Sequence, residues 1–349
     1  MNSEAPKKVL FSLTAVALAA GSAVAFAEGV RQAPSATASS APATVSGRPG
    51  VGKSPWGPQD EIGRLNLMTA ESRRAVLERI DGSVTYDLSV EFFVGMPSWQ
   101  AAGDPPYQMW LTHTPHGNVI ADPMGVGHAM NAHVSYTGTA VSMYVHMGTH
   151  IDALSHFGLG GRIYNGFAAE QHLGDRGWTK SGAEKLPAIV ARGVLVDAAA
   201  AKNVAEIPDA YRVTRKDLEQ ALSRQKVKLE SGDVVLIRTG RMRKYEQAHA
   251  YMKNAPGLGL DAARFLVERG AMVVGADNLS FEAFPSEVRG DYVPVHTYLL
   301  AQQGVPIIEL ANLEELARDR VYEFAFIGGS LKFRGADAAP LRPIAFRLR

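Results

Sequence analysis

The chain has 349 residues, with 36 Lys and Arg against 35 Asp and Glu, a formal net charge of +1 and no cysteine. Its basic residues are dispersed, which argues against a nucleic-acid partner. The lack of cysteine excludes disulfides, thiol nucleophiles and thiolate metal sites. Any metal must therefore be held by nitrogen and oxygen ligands.

The N-terminus has the features of a secretory signal peptide. Lys7 and Lys8 precede an apolar run over residues 9–20, and residues 25–27 have the small-x-small form of a cleavage site. We therefore predict a signal peptide over residues 1–27, export to the periplasm or the medium, and no stable membrane insertion after cleavage. An uncleaved membrane anchor is the alternative.

Composition divides the rest of the chain into two parts. Residues 28–54 are rich in Ala, Ser, Pro, Thr and Gly and have little to bury, which predicts a disordered linker. Residues 55–349 contain no second linker and no internal repeat. We predict one α/β domain there, which is large but feasible for a single core.

Local patterns predict a β-rich core with helices packed outside it. Helices are predicted over residues 70–80, with Thr69 as N-cap, over 214–222, with Thr214 and Asp217 as a capping box, over 260–269 and over 296–303. Strands are predicted over residues 84–90, 134–136, 140–145, 189–191, 194–197, 233–238, 272–277, 305–310, 322–327 and 343–346. Residues 100–130 are predicted to be loop-like, because their prolines exclude long regular elements.

The segment from residue 146 to residue 156 carries three histidines and an aspartate around a Gly-Thr bend. Imidazole with carboxylate is the ligand set of many catalytic divalent metals. In an extended strand His146 and His150 would lie roughly 13 Å apart. They can meet only on a helix or across a bend, and Gly148 permits the bend. His150 and Asp152, two residues apart, can point the same way from a strand.

Three further residues are candidates for the same site: His156, His296 and Glu309. His156 lies beyond the turn, where it can shuttle protons rather than bind a metal. Glu309 interrupts an apolar strand, where burying a carboxylate is costly without a partner, and a cation held by the first cluster would compensate. Ordinary structural roles are the alternative, with His296 on a helix surface and Glu309 paired with an arginine.

The run His146–His156 resembles the H-x-G-T-H-x-D-x-x-x-H signature of the cyclase-like metal-dependent hydrolases, the family of bacterial kynurenine formamidases and isatin hydrolases. The resemblance covers about residues 54–349. Residues 56–67, 86–89, 296–300 and 308–313 are similar to the family's opening, first core strand and C-terminal segment. The resemblance implies a swivelling β/β/α architecture with a β-barrel-like core and peripheral helices, assembled into homodimers or homotetramers.

Carried over by position, the resemblance implies two metal sites. The ligands of the first metal match His146, His150 and Asp152. The ligands of the second match Asp152, His296 and Glu309. We therefore expect a divalent metal, Zn²⁺ or Mn²⁺, with one or two ions per chain.

The resemblance also assigns His156 as the general acid/base of a metal-dependent amidohydrolase of arylformamidase-like type. A divalent metal generates bound hydroxide near neutral pH, which attacks a carbonyl carbon, and histidine titrates near physiological pH. We predict hydrolysis of an amide, formamide, lactam or lactone bond in a small, aromatic or cyclic substrate. The alternative is a non-catalytic periplasmic metal-binding protein. A serine hydrolase ranks below both, because no G-x-S-x-G elbow is present.

Aromatic side chains near the motif are candidates for the walls of a substrate pocket: Trp99, Tyr107, Trp110, Phe281 and Phe284. Packing within the core or in an oligomer interface is the alternative for each of them.

Overall fold

Short strands and helices alternate along residues 50–349, the part of the chain that the structure, a computed structural model, describes. The strands are β1 Ile80–Asp87, β2 Gln108–His113, β3 Gly138–Ser142, β4 His150–Asp152, β5 Leu173–Gly174, β6 Gly177–Trp178, β7 Ile189–Asp197, β8 Arg212–Val213, β9 Val234–Arg238, β10 Gly257–Leu258, β11 Val273–Ala276, β12 Ile307–Glu309, β13 Glu323–Gly328, β14 Ala338–Pro340 and β15 Ile344–Leu348.

The helices are short and have between 3 and 11 residues. They are α1 Ala70–Leu77, α2 Pro115–Ala121, α3 His128–His133, α4 Ala169–His172, α5 Ala198–Ala201, α6 Arg215–Gln225, α7 Ala248–Met252, α8 Leu260–Glu268, α9 Pro294–His296 and α10 Glu314–Arg318. A π-helix over Thr297–Gln302 continues α9. The 3₁₀ turns are Gly63–Leu67, Gln100–Ala102, Tyr164–Gly166, Ala183–Lys185 and Arg241–Lys244.

Nine of these strands form one sheet, in the order β1-β15-β13-β7-β9-β11-β12-β4-β14. The central strands β7, β9, β11 and β12 run parallel to their neighbours in that group, and the flanking pairs are antiparallel. The sheet curls into a half-barrel with helices around it. This confirms the predicted fold class, a β-rich α/β architecture with a barrel-like core and peripheral helices.

Both faces of the sheet are covered, and the alternation of side chains along the strands divides the core in two. Val235 and Ile237 of β9 pack into one cluster with residues of α6 and α8. Val234 and Leu236 of the same strand pack into a second cluster on the other face. Because successive strand side chains point to opposite faces, a strand covered on both sides must be apolar throughout, as β9 is.

Several predicted elements are confirmed. Thr69 and Thr214 each cap a helix with a complete capping box. The predicted helix over residues 260–269 is α8, and the predicted strand over 233–238 is β9. The two capped helices have a cap as their local signal and β9 has a continuous apolar run, whereas α8 has no side-chain cap.

Two secondary-structure predictions for the residues that precede the motif were wrong. Residues 100–130, predicted to be loop-like, contain β2, α2 and the first half of α3. Proline is compatible with α2 because Pro115 stands at the first position of this helix, where its missing N–H has no partner to lose. The predicted strand over residues 134–136 is not formed, and β3 begins at Gly138.

The predicted signal peptide over residues 1–27, and the predicted linker up to residue 49, lie outside the described residues. Residues 50–54, also assigned to the linker, run along the domain, where Gly52 N–H donates to the Ala301 carbonyl at 2.9 Å. In residues 50–349, no helix has the length and apolar character needed to cross a membrane.

Replacing Thr214 by Ala is expected to lower the free energy of unfolding by about 1 kcal/mol, since the Asp217 N–H at the start of α6 loses its acceptor. Urea unfolding monitored by circular dichroism measures the change. Thr214→Ser is the control, because serine keeps the hydroxyl and should leave the midpoint close to that of the unchanged chain. Equal losses in the two variants would show that the methyl group, and not the cap, matters here.

Candidate metal site

The motif bends sharply at Gly148 just before it enters β4. Gly148 has a φ of +59°, and a Cβ atom there would lie 2.2 Å from the Phe92 ring. The Thr149 hydroxyl ties the far side of the bend to the sheet by donating to the Leu310 carbonyl at 2.7 Å. The bend turns His146 back toward β4, as the spacing of the motif predicted.

A first cluster of metal-binding groups forms around this bend. The His146 Nδ1 atom lies 2.8 Å from Asp152 Oδ1, and His150 Nε2 lies 3.4 Å from the same oxygen. All three side chains are buried, and one donor atom from each lies within 4.8 Å of the others. The structure therefore brings together the three residues predicted to hold the first metal.

A second cluster shares Asp152 with the first. The antiparallel pairing of β12 with β4 places Glu309 directly opposite His150. His296, the last residue of α9, has its Nε2 atom 3.4 Å from Glu309 Oε1 and 3.9 Å from Asp152 Oδ2. The structure thus also brings together the residues predicted to hold a second metal, although they lie far apart in the chain.

The chemistry of these donors fits a divalent metal. The His150 Nδ1–H donates to the Gly148 carbonyl at 2.9 Å, which leaves the Nε2 lone pair free to bind a cation. Among the described residues, His150 Nε2 and Asp152 Oδ2 are buried without a hydrogen-bond partner, and the buried His146 Nε2 lies 3.2 Å from Asp337 Oδ2. Buried polar atoms are nearly always partnered, so the two unpartnered atoms mark the place where a divalent metal cation fits.

The sequence interpretation missed Glu282, which orients His296. The His296 Nδ1–H donates to Glu282 Oε1 at 2.5 Å, and the backbone N–H groups of Val295 and His296 donate to the same carboxylate. Burial by itself lowers the pKa of His296, but Glu282 and Glu309 outweigh it and raise this pKa to about 10. A signal existed, because Glu282 lies between the apolar residues Phe281 and Ala283, as Glu309 lies in an apolar strand.

The sequence interpretation also missed Asp337. Its Oδ2 atom lies 3.2 Å from His156 Nδ1 and 3.2 Å from His146 Nε2. Asp337 immediately precedes β14, which pairs with β4 at the edge of the sheet. No local pattern pointed to it, since the surrounding residues are small and its two partners lie almost two hundred residues earlier.

The carboxylates of this site are held in their ionised form. Although burial by itself raises a carboxyl pKa, the neighbouring imidazoles hold the pKa values of Asp152 and Asp337 below their usual range. Burial lowers the pKa of His146, but these two carboxylates outweigh it and raise this pKa to about 10. In contrast, burial and the adjacent His146 lower the pKa of His156. The environment of His156 therefore favours the neutral form of this imidazole.

A cavity of about 230 Å³ opens beside the two clusters. Both clusters and His156 contribute to its lining, and five aromatic side chains complete the walls: Trp99, Tyr144, Phe157, Phe284 and Tyr292. A larger, open cleft of about 900 Å³ lies elsewhere along residues 87–92 and 340–342, and no histidine lines it. The smaller cavity is therefore the candidate substrate site.

Only part of the predicted aromatic wall lines this cavity. Trp99 and Phe284 do, and their rings meet edge to face at 6.2 Å. Tyr107 and Phe281 are instead buried in core clusters, and Trp110 is half exposed on β2. Spacing in the sequence could not separate these cases, because all five residues lie near the motif or near His296.

Comparisons with known proteins show which family and which structures this chain is similar to. The family model described as "Putative cyclase" matches residues 86–283. A crystal structure described as that of a novel cyclase is 31% identical, covers 86% of this chain and 100% of its own, and superposes with a TM-score of 0.75. No curated protein matches the sequence significantly.

Two isatin hydrolases share the fold at lower identity. Isatin hydrolase A from Ralstonia solanacearum is 21% identical, with 76% of this chain and 92% of that chain covered and a TM-score of 0.57. An isatin hydrolase bound to the product analogue thioisatinate is 17% identical, with 81% and 100% covered and a TM-score of 0.58.

Replacing Gly148 by Ala is expected to abolish stoichiometric metal binding, because the new Cβ would collide with the Phe92 ring and displace the bend. Gly160→Ala is a matched control: Gly160 has a φ of +58°, and nothing lies within 4 Å of the position of its Cβ. The control therefore carries only the left-handed backbone cost of roughly 1–2 kcal/mol. Metal content by mass spectrometry of the elements measures both variants, and equal retention would contradict the assigned role of the bend.

Replacing Glu282 by Gln is expected to weaken metal binding on the order of 10-fold, because His296 loses its charged partner but keeps a hydrogen-bond acceptor. Competition with a chelating dye measures the affinity. Glu219→Gln, on the exposed side of α6, is the control and should bind metal as tightly as the unchanged chain. An unchanged affinity in Glu282→Gln would mean that Glu282 serves only the backbone of α9.

Proposed function

This chain belongs to the Cyclase family, and from that premise we propose that it is a metal-dependent hydrolase that cleaves an amide, formamide, lactam or lactone bond of a small molecule. One observation carries the proposal. Two sets of buried imidazole and carboxylate donors share Asp152 and border a cavity of about 230 Å³.

The residues that would hold the metal are those of the two clusters. One ion would be held by His146, His150 and Asp152, and a second by Asp152, His296 and Glu309. A divalent cation in these positions supplies a Lewis acid that polarises a carbonyl group and lowers the pKa of water. Zn²⁺ and Mn²⁺ both suit nitrogen and oxygen donors.

His156 is the proposed general acid/base. Its Nδ1–H donates to the ionised Asp337 carboxylate, so in the neutral ring the Nε2 atom is the proton acceptor. Burial lowers the pKa of His156, which favours this neutral form. His156 would take a proton at Nε2 from the attacking water and return it to the leaving nitrogen or oxygen. Asp337 would hold the ring in this tautomer and orientation.

The cavity favours a small, flat substrate. Trp99 and Phe284 form an edge-to-face pair on one part of the wall, and the Phe157 ring lies 5.1 Å from the His296 ring. A planar ring can pack between such aromatic surfaces while its carbonyl group faces the metal donors. The isatin hydrolases that share the fold are named for a compact aromatic lactam, which supports a substrate of this kind.

The competing function is a non-catalytic metal-binding protein. Asp337 Oδ2 lies 3.2 Å from His146 Nε2, so Asp337 could complete a closed set of ligands without leaving a position for water. The aromatic cavity favours the hydrolase, because a storage site needs no cavity beside its ligands.

Purified protein loaded with Zn²⁺ or Mn²⁺ is expected to hydrolyse at least one of isatin, N-formylkynurenine, an aryl lactone and a simple carbamate. Absorbance or chromatography follows each substrate, and the same assay after chelation is the control. Turnover that the chelator abolishes is the expected result. Stoichiometric metal binding without turnover of any substrate would favour the storage protein.

Replacing His156 by Ala is expected to leave the metal content unchanged and to lower kcat by roughly 10²–10⁴-fold, because the proton has lost its carrier. His249→Ala, at an exposed position on α7, is the control and should match the unchanged chain. If His156→Ala also lost its metal, His156 would be a ligand and the assigned role would be wrong.

A further inference from the structure

One carboxylate on the wall of the candidate substrate cavity belongs to neither metal cluster. Asp104 lines this cavity and contributes no donor atom to the groups that could hold a metal. The residue is half-buried, and in residues 50–349 its carboxylate takes part in no hydrogen bond and no ion pair. Because partial burial of a charge without a partner costs free energy, this carboxylate is available to a ligand.

The other carboxylates around the cavity are compensated within the protein. Each of them contacts an imidazole: Asp152, Glu282, Glu309 and Asp337. A divalent cation bound in the clusters would add positive charge at those carboxylates. Asp104 contacts none of these imidazoles, so its charge remains unpaired when the metal donors are occupied.

A short loop presents Asp104 together with Trp99. The Trp99 carbonyl accepts from the N–H groups of Ala102 and Asp104, at 2.8 Å and 3.4 Å. Gly103, between them, has a φ of +96°, which is in the left-handed region that favours glycine. Pro105 follows at once and restricts the backbone of Asp104. The loop therefore brings a carboxylate and an aromatic ring to the same cavity.

The wall offers nothing that would bind an anionic substituent away from the metal donors. Among the described residues that line the cavity there is no lysine and no arginine. The histidines that line it belong to the two metal clusters, apart from His156. A carboxylate or phosphate on the distal part of a substrate would therefore meet the like charge of Asp104, which discriminates against it.

The aromatic rings of the wall suit a positive charge. The face of an aromatic ring carries negative partial charge and attracts a cation placed over it. Trp99 and Phe284 form one pair, and Phe157 and Tyr292 form a second pair with ring centroids 6.2 Å apart. Aromatic cages commonly bind ammonium groups, and a nearby carboxylate adds an ion pair to such a site.

We propose that the cavity selects substrates that carry a protonated amine away from the scissile carbonyl group, with Asp104 as the counter-ion of that ammonium. This inference rests on the proposed function, because it assumes that the carbonyl group faces the metal donors. It narrows the substrate class to aromatic or cyclic amides, lactams or lactones with a cationic substituent. Asp104 is then a residue that determines specificity and takes no part in the proton transfer at His156.

Binding of product-like benzoates tests the proposal without requiring turnover. A benzoate resembles the acid that hydrolysis of an aromatic lactam or amide releases. Isothermal titration calorimetry of the Zn²⁺-loaded chain at neutral pH compares benzoates with an aminomethyl, a hydroxymethyl or a second carboxylate substituent, each as the meta and the para isomer. At least one aminomethyl isomer should bind on the order of 10-fold more tightly than its neutral hydroxymethyl counterpart, and the dicarboxylates should bind most weakly.

Variants at position 104 assign the preference to this carboxylate. Asp104→Asn keeps the shape of the side chain and removes its charge, so the aminomethyl and hydroxymethyl compounds should bind equally. Asp104→Lys should reverse the order and favour a dicarboxylate. Asp175→Asn, at an exposed position between β5 and β6, is the matched control and should retain the preference of the unchanged chain.

The outcomes that contradict the inference differ from those that contradict the proposed function. Equal affinities for all the benzoates, or a preference that survives Asp104→Asn, would overturn the inference and leave the metal-dependent hydrolase intact. Failure of every benzoate to bind the metal-loaded chain would count against the cavity as a substrate site and overturn both. Loss of metal from Asp104→Asn would show that Asp104 supports the metal site, and would overturn its assignment to the substrate.

Discussion

The antiparallel register between β4 and β12 is the constraint on which the metal site depends. It places Glu309 opposite His150 and Ile307 opposite Asp152, so the ends of two strands that lie over 150 residues apart in the chain present their polar side chains together. A slip of one residue would turn these side chains to the other face of the sheet, where the core is apolar. The apolar residues Ile151 and Ile308, which pack in the core on that face, hold the register.

The same arrangement buries carboxylate groups close together. Burying a carboxylate costs free energy unless a cation or several donors compensate it. Asp152 and Asp337 keep low pKa values because the surrounding imidazoles supply positive charge when no metal is bound. A divalent metal can take over that compensation, so the cluster that is costly for the fold is well suited to bind one.

The hydrogen-bond partners of the histidines distinguish the roles of their side chains. The Gly148 carbonyl and the Glu282 carboxylate each take the Nδ1–H of one histidine and leave its Nε2 atom directed into the site. Such partners fix the tautomer and orientation of metal-binding imidazoles. His156 differs, because its partner Asp337 lies at the edge of the sheet and is partly exposed. That position suits a group that exchanges protons with a substrate.

The sequence by itself determined the features that depend on neighbouring residues. The spacing of His146, His150 and Asp152 limited a shared site to a helix or a bend, and Gly148 permitted the bend that the structure shows. An N-cap, a capping box and a continuous apolar run located α1, α6 and β9. The tertiary structure decided that Asp337 lies beside His156 and that Glu282 supports His296. The first contact joins residues 181 positions apart and depends on strand pairing, which leaves no periodic trace in the local sequence. The second spans the irregular segment between β11 and α9, where no helical or strand period relates the two side chains.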